Sequence, residues 1–157
     1  MRRVVPVLLA VAAMLGASAC GSGADAAKQR NTYADQVNRA QTQFAHSFKS
    51  LSRRISSTTT PGRGRQTLQG FEDAVTAVVG DLQRIQAPSD VKPLHRRLIG
   101  EVSGYGLAIH RAKLAFATGS PQRILRAQSA LVSATTAISA RINRTIAAIN
   151  RQLQRKK

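Results

Sequence analysis

The stretch VKPLHRRLIGEVSGYGLAIHRAKLAFATGSP, residues 91–121, decides the fold. Val91, Leu94, Leu98, Val102, Tyr105, Ile109, Ala112 and Phe116 recur at steps of three and four, which lines them along one side of a helix. Ser89 or Asp90 upstream is a good N-cap. Ala87-Pro88 closes whatever comes before, because the residue preceding a proline disfavours helical backbone. Gly119 supplies a left-handed cap at the far end. Ser120 and Pro121 then open the next helix, serine as N-cap and proline at the first helical position, where its missing N–H costs nothing.

Working outward, Ile124, Leu131, Thr135, Ile138, Ile142, Ile149 and Leu153 continue that last helix to the chain's end, with Gln128 and Thr145 as weak points in its stripe. On the other side, Leu68, Phe71, Val75, Val78, Leu82 and Ile85 predict a helix from about Gln66 to Gln86. Gly70 and Gly80 each weaken it by about 1 kcal/mol relative to alanine unless they permit close helix contact. Before it, Tyr33, Val37, Ala40, Phe44, Phe48, Leu51 and Ile55 predict a helix from Thr32 to Ile55. Ser56 to Gly64, rich in Ser and Thr with Pro61 and two glycines, reads as the loop between them. No strand alternation of useful length occurs. Four amphipathic helices with short second and third connections predict an all-α fold, an antiparallel up-down-up-down four-helix bundle over residues 32–157. The expected core is Phe44, Phe48, Leu51, Phe71, Val75, Val78, Leu98, Tyr105, Ile109, Phe116, Leu131, Ile138 and Ile142.

The chain's start has a different character. Arg2 and Arg3 precede an apolar run, Val4 to Leu15, broken only by Pro6. It is shorter than the roughly 20 residues a membrane-spanning helix needs, and it fits a cleaved secretion signal. Gly16-Ala17-Ser18-Ala19-Cys20 follows, and Cys20 is the chain's single cysteine. This segment resembles the lipobox of bacterial lipoproteins, with Ala17 where leucine is commonest. The resemblance implies a signal peptide over 1–19, cleavage before Cys20, and a diacylglycerol on the Cys20 thiol, with the amine open to acylation as well. Two other readings of the same residues stay open: Ala17-Ser18-Ala19 fits an ordinary signal-peptidase site, and Cys20 fits a free or intermolecularly paired thiol. Residues 20–31, without apolar period, read as a flexible tether to the bundle. Two acyl chains at Cys20 would give stable anchoring, where one chain binds only marginally. The expected location is therefore the extracytoplasmic face of the bacterial cell membrane. The rest of the chain is similar to the small, alanine-rich helical lipoproteins of actinobacteria, a similarity that implies no activity.

The formal net charge is +17 at pH 7, with 18 Arg and 6 Lys against seven acids. No acid occurs after Glu101, although ten basic residues do. A one-signed field of this size draws anionic partners and is screened by salt. In an envelope these are anionic lipid headgroups and acidic wall polymers; nucleic acid fits the charge but not the location.

Chemistry-bearing constellations are scarce. The chain has only Glu72 and Glu101 as glutamates, and neither is followed by the histidine three residues on that a di-iron bundle site uses. His46, His95 and His110 offer no facing pair for a haem, and His95 reads as a boundary residue with one ring nitrogen in water. No serine lies in Gly-x-Ser-x-Gly, and Gly62-Arg63-Gly64 lacks the remainder of a phosphate-binding loop. The chain does not read as an enzyme, and no cofactor is called for.

The up-down topology brings the start of the first helix, the second-to-third turn and the end of the fourth helix to one end, near Cys20. Arg84, Lys92, Arg96, Arg97, Arg151, Arg155, Lys156 and Lys157 are therefore the candidate residues for binding an anionic surface. The leading functional expectation is an anchored interaction or structural module whose protein partner is not readable. The alternative is a ligand-binding lipoprotein with a pocket inside the bundle, which a void near Tyr105 would favour.

Overall fold

The chain forms four α-helices in the order α1 (Gly21–Ile55), α2 (Pro61–Arg84), α3 (Lys92–Ala117) and α4 (Pro121–Gln154). The computed structural model describes residues 21–55 and 60–155, with side chains for 24–47, 49–50 and 60–155. Among the described residues there is no strand. The signal segment and Cys20 lie outside them.

Helix α4 starts where the Ser120-Pro121 pair predicts, and Gly119 ends α3 with φ +65°. The other three starts differ from the sequence expectation. Helix α2 opens at Pro61 and takes in residues 61–64 of the segment expected as a loop. Thr60 takes extended backbone and its Oγ1 accepts from the Arg63 N–H at 3.4 Å, while Pro61 fills the first position. This is the same proline-led start seen at α4, disguised by the surrounding Ser, Thr and Gly. Helix α3 opens at Lys92, and neither Ser89 nor Asp90 caps it; Val91 stands at the N-cap without a side-chain bond. The Pro88 carbonyl accepts from the Val91 and Lys92 N–H groups, both at 3.0 Å. Asp90 is used elsewhere, as described below.

Helix α1 also starts earlier than expected, so residues 21–31 are helical where a tether was predicted. Ala24, Ala26, Ala27, Lys28, Gln29 and Arg30 are strong helix formers, so propensity extends the helix without an apolar stripe to announce it.

Helix α1 packs on α2, α2 on α3 and α3 on α4. The core runs through all four. Tyr33, Val37 and Ala40 come from α1; Leu68, Phe71, Val75, Val78 and Leu82 from α2; Leu98, Val102, Tyr105, Ile109 and Ala112 from α3; Ile138, Ile146 and Ile149 from α4. Val91, just before α3, is also buried. Of the expected core, Phe44, Phe116, Leu131 and Ile142 are only half-buried, while Phe48 and Leu51 fall outside the described side chains. Thr145, read as a weak point, is 3% exposed. Ile146 and Ile149 are buried as well, so the buried face of α4 is widest in its second half. Leu125 and Val132, in its first half, are both 66% exposed.

Across α2 and α3, the order of contacts is regular. A Cβ on Gly64 would meet Phe116, Glu72 bonds His110 and Lys113, Gly106 lies against Val75, and Leu82 bonds His95. Gly64 marks the tightest approach. A methyl built there would lie 2.5 Å from Phe116 Cε1, a distance no carbon pair tolerates, whereas one on Gly100 meets nothing within 4 Å. Gly80, a candidate for close helix contact, faces only the tip of Arg84 at 3.8 Å. Gly100→Ala is therefore expected to stabilise by about 0.5–1 kcal/mol through helix propensity. Gly64→Ala is expected to destabilise by about 1–3 kcal/mol, since the overpacked Phe116 ring must move. Thermal unfolding of the two variants should shift in opposite directions; a shift in the same direction would refute this packing.

Candidate functional site

The most structured polar feature lies where α1, α2 and α3 meet. His95 is 5% exposed, with both ring nitrogens engaged. Nε2 lies 2.9 Å from the Leu82 carbonyl oxygen and Nδ1 lies 3.2 Å from the Tyr33 hydroxyl. A carbonyl only accepts, so Nε2 carries the proton and donates. In the neutral ring Nδ1 is then the acceptor, and the Tyr33 hydroxyl donates to it. The rings meet edge to face, with centroids 5.5 Å apart. Burial lowers the His95 pKa, partly offset by the bond to Leu82, and burial raises that of Tyr33. His95 is thus an interior connector and not a boundary residue. It adds a donor to a carbonyl in the last turn of α2, which also accepts from the Ile85 N–H at 3.1 Å. Beside it, Arg30 on α1 bonds Asp90 in the α2–α3 turn at 3.1 Å, with the two side chains only 16% and 10% exposed.

The end of α4 reaches the same place. Tyr33, Ala34 and Val37 on α1 and Ile146, Ile149, Asn150 and Leu153 on α4 together line a cavity of about 10 Å³, too small for more than a water molecule. Around this junction, Arg84, Lys92, Arg96, Arg97, Arg151 and Arg155 are all exposed. Arg84 is ion-paired to Asp81, and Arg97 donates to Glu101 at 3.1 Å. Lys156 and Lys157 fall outside the described residues.

Glu101, the chain's last acid, has a side chain 9% exposed. Its Oε1 binds Arg97 while Oε2 is buried without a hydrogen-bond partner among the described residues. Further along, Glu72 on α2 takes His110 Nδ1–H at 2.9 Å and the Lys113 ammonium, both from α3. The Lys113 bond above all, with a lesser contribution from His110, holds the Glu72 carboxyl below its ordinary range despite the opposing effect of burial. Among the described residues no group of three or more His, Cys, Asp or Glu is placed to hold a metal ion. Among them, too, no helix is long and apolar enough to cross a membrane.

Tyr105, where a void would have favoured a ligand pocket, is packed between α1 and α4. Its ring is buried, sits 6.2 Å from that of Phe44, and its hydroxyl bonds Ser139 on α4. A larger depression of about 480 Å³ is lined by Asp35, Asn38, Arg39, Thr42 and Gln43, all on α1, and so lies on the outer side of one helix.

Comparison with protein-family models, curated proteins and solved structures returns no match. The site is accordingly read from its own residues. Sequence reasoning missed the Arg30–Asp90 and Tyr33–His95 links because each joins residues about 60 positions apart, with no local pattern. It counted the arginines of α4 but not their placement around the helix, which the spacing of Arg123, Arg126, Arg141 and Arg144 already contains.

Proposed function

We propose that this chain is a cell-envelope lipoprotein, anchored through a lipidated Cys20, whose anchor-side end carries a basic rim for anionic envelope components. Its helices form an antiparallel up-down-up-down bundle. Support for that topology comes from the contact order. Positions 64, 72, 75 and 82 on α2 meet 116, 110, 106 and 95 on α3, while Tyr33 and Phe44 on α1 meet His95 and Tyr105. On α4, Ser139 meets Tyr105 while Ile149 and Leu153 share a cavity with Tyr33.

The observation that carries the functional reading is this gathering around Tyr33. The start of α1, the α2–α3 turn and the end of α4 share one end of the bundle, and the exposed basic residues Arg84, Lys92, Arg96, Arg97, Arg151 and Arg155 sit on those elements. Lys156 and Lys157 continue the series. Asp90 is spent internally on Arg30, so it offsets this charge less than an exposed acid would. Near an anionic surface each free basic residue contributes about 1 kcal/mol, less on a weakly charged leaflet. The chain acts as an interaction or structural module and carries out no catalysis.

The test uses the Cys20→Ser chain, so that no lipid masks the effect, with anionic and neutral vesicles. Changing Arg151, Arg155, Lys156 and Lys157 to Gln should weaken anionic binding by roughly tenfold or more, and rising salt should weaken the parent's. Equal binding of parent and variant to both vesicle types would leave this end an ordinary solvated surface.

A further inference from the structure

We propose that the outer side of α4 is a separate binding surface for a linear, base-free phosphate polymer lying along the helix. Arg123, Arg126, Arg141, Arg144, Arg151 and Arg155 are all exposed. At 100° per residue they fall within a sector of about 80°, on the flank away from Ile138, Ile146 and Ile149. The stripe runs the length of the helix, about 48 Å from Arg123 to Arg155 at 1.5 Å per residue.

The composition of this sector decides the occupant. The other positions in this sector are Ala130, Ser133, Ala137 and Ala148, all small and none acidic. The exposed Leu125 and Val132 fall outside the sector. A helix that lies on a bilayer inserts large apolar side chains between its basic ones, and this stripe has none to insert. Single-stranded nucleic acid binds where aromatic side chains stack its bases, and this stripe has no aromatic residue. What remains is a chain of anions met by long guanidinium arms over a floor of small side chains. All six cations are arginine, whose planar fork pairs with phosphate oxygens through two parallel hydrogen bonds.

The surface does not depend on the anchor or on the basic rim, although Arg151 and Arg155 belong to both. Arg123 and Arg126 lie far more than a screening length of about 8–10 Å from the rim, so a partner held only at the rim does not reach them electrostatically. They need a partner that runs along α4.

The test uses the full chain in neutral detergent, with long-chain inorganic polyphosphate as the probe. The stripe variant carries Arg123→Gln, Arg126→Gln, Arg141→Gln and Arg144→Gln, and is checked for unchanged helicity and melting temperature. A second variant changes the same four residues to Lys, and a third carries Arg84→Gln, Lys92→Gln and Arg96→Gln at the rim. The Gln stripe variant should bind polyphosphate roughly tenfold or more weakly. Its log–log salt slope should fall by about 2–3, near 0.7 per lost contact as for single-stranded chains. The Lys variant should keep the slope, and the rim variant should keep the affinity. Triphosphate should bind far more weakly than the long chain. An unchanged slope in the Gln stripe variant would overturn the proposal. So would tighter binding of an oligonucleotide with the same number of phosphates, or an equal loss by the Gln stripe variant on anionic vesicles.

Discussion

Phe71→Ala is expected to lose about 3–5 kcal/mol of folding stability, the range for truncating a large buried aromatic. Phe71 is 4% exposed, in the α2 stripe that also contributes Leu68, Val75 and Val78 to the core. Removing the ring forfeits its transfer out of water and leaves a void that helices on either side close only in part. A domain of this size has a total stability of about 5–15 kcal/mol, so the loss should be visible as a large fall in the urea midpoint with little change in slope. A loss under about 1 kcal/mol would put Phe71 at the surface and undo the packing of α2 described above.

His95→Ala is expected to cost about 3 kcal/mol, through a different mechanism. The substitution removes the acceptor of the hydroxyl of Tyr33, a residue only 1% exposed, and one donor to the Leu82 carbonyl. His95→Phe, which restores volume but not hydrogen bonds, should recover only part of the loss. The histidine also sets a pH dependence. Its folded pKa lies below the ordinary value of 6.5, because burial disfavours the imidazolium. The unfolded chain therefore binds more protons here than the folded one just below that pH. Stability is fully present above about pH 6.5 and is lost as pH falls toward the folded pKa. Melting curves from pH 8 to pH 5 should fall more steeply for the parent than for His95→Phe. Parallel curves would mean that His95 is not held neutral in the fold.

The α3 stripe was legible almost in full because its periodic residues are unbroken and its end carries a glycine with left-handed backbone. The four-helix count followed from the same kind of signal. What was not legible has physical causes. The first turns of α1 rest on alanine-rich propensity and on one ion pair, Arg30–Asp90, that no window of sequence contains. The start of α2 was hidden because Pro61, Gly62 and Gly64 are loop residues by composition, yet here proline leads the helix and Gly64 admits the Phe116 ring. Thr145 was discounted as polar, though its methyl suits a core position. For the candidate site, the basic residues and the acid-free end were countable from sequence. That His95 ties three helices together depends on contacts between distant residues, whereas the arginine stripe was already contained in the spacing along a helix read as continuous to Leu153.

The central claim, a chain held at the membrane through Cys20, is tested most directly by the intact mass of the protein extracted from the membrane fraction of expressing bacteria. The expected result is a species beginning at Cys20 with the added mass of a diacylglycerol, and its loss in Cys20→Ser together with release or failed processing. An unmodified chain, fractionating identically for parent and Cys20→Ser, would contradict it.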